Sequence, residues 1–243
     1  MRKLTIFLGL IIVTTLSYLF NSFEFILIAV ILVIAVFLIL LRLLQLFRKV
    51  NYLGASSRGI RWKQIFNFEA SLGVLHPLAV PIKAYYFRNS LLLMLICISG
   101  VCISLIRPYD KAVIHQGSLS EKLKFAYESD QKDRMQLRSF LSYFSKLEHR
   151  DLKRLNQVKN IRKIYTIKKP QDKFYAAFIY HHGKDSIDYK IASKLATEAA
   201  LHSSLKNDYK VQWLRKAACD RYLLAIGKQE KYNTQNNFSF DIE

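Results

Sequence analysis

Apolar positions follow two different rules along this chain. Leu4–Phe20, Phe25–Phe47 and Leu91–Ile106 are apolar without a period, whereas after Ser118 apolar residues recur every three or four positions. The second run, FILIAVILVIAVFLILLRLLQLF, has 23 residues and one charge, Arg42, near its end. At about 1.5 Å per residue, a helix of that length crosses a hydrocarbon core of about 30 Å. A helix in a soluble protein is rarely apolar on every face for so long, because one face meets water. The run therefore predicts a transmembrane span.

Leu4–Phe20 carries Thr14, Thr15 and Ser17 and follows Met1-Arg2-Lys3. A positive start and an apolar body also describe a signal peptide. No small-x-small cleavage site follows, and a longer span comes at once, so this run is read as an uncleaved first span. The short link 21–24 makes the first two spans an antiparallel hairpin. Leu72–Ile82 (LGVLHPLAVPI) has 11 residues, too few to cross. Pro77 and Pro81 are expected to break any helix there, leaving the segment at the interface or folded back on the hairpin. Tyr85, Tyr86 and Phe87 suit the headgroup zone. The third span is expected to run from Phe87 to Ile106, with Arg88 and Arg107 at its ends. Ser99, Gly100 and Ser104 on neighbouring turns allow close helix packing. The predicted spans are thus 4–20, 25–47 and 87–106.

Beyond the third span, 108–118 reads as linker, 119–232 as a helical domain and 233–243 as a flexible tail. Ser118 or Ser120 caps a helical stretch carrying Leu123, Phe125, Ala126, Met135, Leu137, Phe140, Leu141 and Phe144. Leu147–Tyr165 is a second helix and Asp172–His182 a third, closed by Gly183. A fourth starts at Asp185 or Ser186. A fifth runs from Asn207 or Asp208 to Ile226, with Gly227 after it. No run alternates with period two for long. The expected architecture is a three-span helical membrane region plus a C-terminal all-α soluble domain of about five helices in antiparallel pairs.

Charge orients this plan. Residues 1–106 hold ten Lys/Arg and two acids, and most of these cations cluster in the 48–86 loop. Positive loops stay cytoplasmic. The N-terminus and this loop are therefore placed in the cytoplasm, and three crossings put 107–243 outside it. No span carries an acid, His or Lys in its middle, which argues against a proton relay or ion pathway. Residues 107–243 hold 27 basic and 16 acidic residues. The basic stretch 146–169 is either a solvated helix face or a dock for anionic lipid headgroups. Nucleic acid is not an expected partner, since base-stacking aromatics are sparse there and the domain is placed outside. Cys97, Cys102 and Cys219 form neither a disulfide framework nor a zinc set and are read as packing residues.

Candidate chemistry is confined to a few polar residues. Asp130, His182, Asp220 and Arg221 are the catalytic candidates, and Gln131, Arg134, His181 and Gln235 the binding candidates. Arg134 lies four residues after Asp130, so the two share a helix face. One reading is an ion-pair network that fixes helix register. The other is hydrolysis, with His182 as base and Asp130 or Asp220 orienting it. The network reading is preferred. No G-x-S-x-G, H-E-x-x-H or P-loop string occurs, and no cofactor is implied. His181-His182 lacks a third ligand at fixed spacing, so no metal is expected.

Spaced motifs in the second half resemble a bacterial helical domain family of unknown function. They are ESDQKDR (128–134), FIYHHG (178–183), DYKIASKLA (188–196), WLRKAACDRYLLAIGK (213–228) and QEKYNTQ (229–235). Asp130, Gln131, Arg134, His182 (or His181), Asp220, Arg221, Gly227, Tyr232, Thr234 and Gln235 match its Asp-Gln-x-x-Arg, His, Asp-Arg and Tyr-Gly-Thr-Gln motifs. The pattern's other Gln is displaced to Gln229. The glycine of Tyr-Gly-Thr-Gln is Asn233 here, a residue that tolerates a left-handed turn. The resemblance covers 121–236, implies a helical fold and brings no known reaction. The expected protein sits in a bacterial inner membrane and presents an interaction module to a protein or envelope partner. The alternative is a membrane-anchored envelope hydrolase.

Overall fold

The computed structural model describes residues 2–57 and 76–235, which are helical with no strand among them. The chain divides into two compact units, Met1–Arg107 and Pro108–Glu243.

The first unit holds α1 (Arg2–Leu19), α2 (Phe23–Ser57) and α3 (His76–Ile106). Phe23–Leu43 and Tyr86–Ile106 are each 21 residues, with mean hydropathies of 3.3 and 2.3, long and apolar enough to cross a membrane. Leu4–Leu19 is a shorter apolar helix. The third helix packs against both others, and Gly100 shows why a small residue sits there. A Cβ on Gly100 would lie 2.6 Å from Leu27 Cδ1, 2.6 Å from Val13 Cγ1 and 2.8 Å from Ser17 Oγ. Ser17 and Ser104 are buried, as is Cys97. Arg107 donates from Nη1 to the carbonyls of Ser17 (3.1 Å) and Phe20 (2.9 Å), supplying a cation at the C-terminal end of α1.

Two expectations change here. The cations at 48 and 49 lie on an extension of α2 that reaches Ser57, not in a loop. Helix α3 starts at His76 and passes through Pro77 and Pro81. A proline in the first turn has no intrahelical N–H bond to lose. Pro81, at the sixth position, removes one bond, to the carbonyl of residue 77, and the helix nonetheless continues to Ile106. Residues 58–75, which carry Arg58, Arg61, Lys63 and the start of the 72–82 segment, lie outside the described residues.

The second unit holds α4 (Leu119–Arg134), a 3₁₀ turn (Leu137–Phe140), α5 (Leu147–Ile164), α6 (Pro170–His181), α7 (Ser186–Ala200) and α8 (Tyr209–Ala225). Among the described residues this unit has five α-helices, where about five were expected, but the first is shorter. It ends at Arg134, and Met135, Phe140 and Leu141 are exposed. Ser118 closes its start with a capping box: the Ser118 hydroxyl accepts from the Glu121 amide, and Glu121 accepts from the Ser118 amide at 2.7 Å. Pro170 opens α6 at its first turn, and Asp185 and Asp208 cap α7 and α8. The core joins Leu123 and Ala126 of α4 to Leu155 and Val158, Phe174 and Tyr180, Ala196, and Leu214. Ala176, Ala177, Ala192, Ala199 and Ala218 line it and let α6, α7 and α8 pack closely.

The segment expected to be a linker is part of this unit. Ala112 is buried and its carbonyl accepts from Ser129 Oγ at 2.8 Å, and the Asp110 carbonyl accepts from Arg150 at 2.6 Å. Of the expected flexible tail, Thr234 and Gln235 are bound in place, and 236–243 lie outside the described residues.

Candidate functional site

The candidate residues fall into two groups rather than one. The first lies where α4 meets α5. Asp130 accepts two bonds from Arg134, Nε to Oδ2 and Nη2 to Oδ1, both at 3.1 Å. Gln131 Nε2 donates to the same Oδ2 at 3.0 Å. The Arg134 guanidinium also reaches Asp151 on α5 at 2.8 Å. Asp151 accepts from Arg154 at 2.6 Å on its other oxygen. Arg154 is fully buried, pairs with Asp133 and donates from Nε to Ser129 Oγ at 3.0 Å. Asp133 also accepts from Arg150 at 2.6 Å. Three aspartates and three arginines thus alternate across the α4–α5 contact, and their formal charges cancel.

Four of these six, Asp133, Arg150, Asp151 and Arg154, were not among the sequence candidates. The signal was periodicity: Arg150 and Arg154 continue, at four-residue spacing, the buried stripe of Val158 and Ile161. The basic stretch 146–169 is therefore not one solvated face. Arg150 and Arg154 turn inward, Lys159 pairs with Asp188 at 2.6 Å, and Lys153, Arg162, Lys163, Lys168 and Lys169 remain exposed.

His182 is the C-cap residue of α6. Its Nε2 lies 3.8 Å from Asp130 Oδ2, too far for a hydrogen bond, and has no other partner among the described residues. Burial lowers its pKa to about 4; the Asp130 carboxylate opposes this, and Arg134 and Arg221 add to it. His181 is buried against Trp213, its Nδ1 makes no hydrogen bond, and desolvation with the Arg221 charge pushes it down to about 2. Both rings are neutral at pH 7. Burial would raise Asp130, but His182 in its protonated form at low pH, together with the Arg134 and Arg154 guanidiniums, outweighs it and holds the carboxyl below its ordinary range. Burial pushes Asp151 up to about 7, against the pull of Arg134 and with Asp130 adding to the rise. Asp151 is thus the first of this pair to take up a proton as the pH falls.

Asp151 and His182 also line a cleft of about 400 Å³, with Leu147, Glu148, Gly183 and Lys184. Glu148 and Lys184 close its rim with a 2.6 Å ion pair. Gly183 has no room for a side chain: a Cβ would sit 2.4 Å from Asp188 Cβ and 2.8 Å from the Tyr180 carbonyl.

The second group surrounds Asp220 on α8. Its two oxygens accept from the amides of Lys231 (2.8 Å), Tyr232 (3.0 Å) and Thr234 (3.0 Å) and from Thr234 Oγ1 (2.8 Å). Burial would raise this carboxyl, but the Thr234 bonds and the two other amides outweigh it and leave it lowered. The chain reaches this cradle through Gly227 at φ +73 and Asn233 at φ +53. Both are left-handed conformations, easy for glycine and tolerable for asparagine. Arg221 donates to the His181 carbonyl at 2.7 Å, capping α6, and to Gln235 Oε1 at 3.2 Å. Gln235 donates in turn to the Ala217 carbonyl at 3.3 Å. Among the described residues Asp220 makes no hydrogen bond or ion pair with either histidine, so it does not orient His182.

The described residues contain no group of three His, Cys, Asp or Glu side chains placed to hold a metal ion. The three cysteines are unpaired thiols. Comparison of the chain with protein-family models, curated proteins and solved structures finds no match.

Proposed function

We propose that this chain is an integral membrane protein whose second unit is a helical interaction module, held on the extracytoplasmic side of a bacterial inner membrane. One observation carries the choice of module over enzyme: the carboxylates on which catalysis would depend are already filled by the protein itself. Asp130 is 1% exposed and Asp220 0%; Asp130 accepts from Gln131 and Arg134 on its own helix and pairs with Arg154 of α5, and Asp220 accepts from the 231–234 segment. A general base works best with a pKa near the working pH. His182, at about 4, is too weak a base for that role, and it lacks an orienting hydrogen bond.

Two apolar helices of spanning length support the membrane part of the reading. The positive flanks of α2 and α3 support a cytoplasmic N-terminus. Membrane lipid is then the first partner, with Lys153, Arg162, Lys163, Lys168 and Lys169 available to anionic headgroups and a protein or envelope component as the second. The motif residues of the resemblance fit this view, because they build the Asp220 cradle and the Asp130 pairings rather than an open site.

The hydrolase alternative keeps one supporting observation, the cleft that brings together Asp151, with its raised pKa, and His182. His182→Gln separates the two readings. It keeps the ring's approximate volume and sits in the cleft wall. If the variant melts like the parent and cells keep the parent phenotype, the module reading stands. Full stability with complete loss of phenotype would favour the enzyme.

A further inference from the structure

The second unit exposes one dense group of large apolar side chains on a backbone that is held in place. Met135 (65% exposed), Phe140 (72%), Leu141 and Tyr143 (91%) fall within nine residues between α4 and α5. Backbone bonds fix the segment: the amides of Gln136, Leu141 and Ser145 donate to the carbonyls of Asp133 (3.3 Å), Arg138 (3.3 Å) and Leu141 (2.9 Å). Arg138 is buried beneath it, stacked 3.4 Å over the Tyr109 ring and bonded through Nε to Gln136 Oε1 at 2.7 Å. A fixed apolar patch of this kind is normally covered by something.

Chain connectivity says what covers it. Tyr109 is tied to the far end of the same segment, its hydroxyl donating to the Phe144 carbonyl at 3.3 Å and accepting from the Lys146 amide at 3.3 Å. Tyr109 also follows Ile106, the end of α3, by three residues, so the covalent chain keeps their Cα atoms within about 11 Å. If α3 spans the bilayer, the segment bound to Tyr109 is tethered at the bilayer surface. Its composition suits that zone: two aromatics, a Leu and a Met, flanked by the exposed cations Lys132 and Lys146.

We propose that residues 135–144 form a membrane-surface foot. Phe140, Leu141 and Tyr143 enter the boundary between headgroups and acyl chains, while Lys132 and Lys146 face anionic headgroups. The proposal rests on the reading of Tyr86–Ile106 as a span, and its test keeps the two apart.

The test uses the full chain in nanodiscs of phosphatidylcholine and phosphatidylglycerol, with Trp62→Phe and Trp213→Phe removing the native tryptophans. Single tryptophans are then introduced by Tyr143→Trp, Ile98→Trp or Tyr209→Trp, and quenching by acyl-chain bromines is read at shallow and deep positions. The expected result is loss of most Tyr143→Trp emission to shallow bromines, loss of Ile98→Trp emission to deep ones, and little change for Tyr209→Trp. Phe140→Trp supplies the same reading if the Tyr143 variant does not fold. Quenching at 98 with position 143 as unaffected as 209 overturns the foot and assigns the patch to a protein contact. Quenching at 143 no greater than at 209 also overturns it. No quenching at 98 at any depth overturns the span reading and the foot with it.

Discussion

The two units are built inside out with respect to each other. Among the described residues of Met1–Arg107 many large apolar side chains, among them Phe7, Ile26, Val33, Ile39 and Leu95, are exposed, whereas Ser17, Ser104 and Gly100 lie where helices meet. In Pro108–Gln235 the apolar core, among it Leu123, Val158, Tyr180 and Leu214, is inside, and so are Arg150, Arg154, Asp130 and Asp133. The first unit buries Ser17 and Ser104 among its helices. The second can bury charge only by balancing it partner for partner. The difference teaches where each unit is fragile: the first at a point of close approach, the second at a point of charge balance.

The largest expected effect tests that balance. Arg154→Ala leaves Asp133 and Asp151 each short of a cation inside the α4–α5 contact. Removing one partner from a buried pair costs about 3–5 kcal/mol, enough to unfold a marginal domain. Denaturant titration of the purified chain, followed by loss of helical signal, measures it. A midpoint unchanged from the parent would show that the network is incidental to folding.

Close packing in the first unit comes next. Gly100→Val places new atoms against Leu27, Val13 and Ser17, an overpacking cost of about 1–3 kcal/mol. Resistance of the detergent-purified protein to thermal aggregation reports it. Equal resistance would mean that the three helices do not meet at Gly100.

Acidification tests whether the histidines are buried neutral. In the fold His181 and His182 titrate at about 2 and about 4 rather than near 6.5. Below pH 6.5 the unfolded chain therefore takes up protons that the folded chain refuses, and stability falls. Asp151, raised to about 7, acts in the opposite direction, because the folded chain takes up its proton first. Two groups against one leave a net loss of roughly 1 kcal/mol per pH unit between about pH 6 and pH 4. Denaturant midpoints across that range measure the slope, and His182→Gln should flatten it. A slope of opposite sign would place the imidazoles in water.

The smallest effect is local. Ser118→Ala removes the side-chain half of the capping box and should cost about 1 kcal/mol.

Helices were legible in the sequence wherever one principle decided the outcome. The long apolar helices needed only length and hydropathy, and α6, α7 and α8 needed only a stripe and a cap. The sequence was ambiguous where two principles competed. Met135, Leu137, Phe140 and Phe144 keep apparent helical spacing, yet α4 stops at Arg134, and beyond it Arg138 stacks on Tyr109. The proline rule overlooked how little a helix loses at its first turn, where Pro77 sits. In the candidate site, the Asp130–Arg134 pair followed from four-residue spacing. Its partners on α5 did not, because charge in a basic run reads as solvated until its register with Val158 and Ile161 is checked. The split between the Asp130 and Asp220 groups is a tertiary fact that no local spacing carries.

Fractionation of cells making the full chain tests the inside-out comparison most directly. After a high-salt wash and alkaline carbonate extraction, the protein should remain entirely with the membrane pellet and be released only by detergent. Its recovery in the detergent-free soluble fraction would contradict the account.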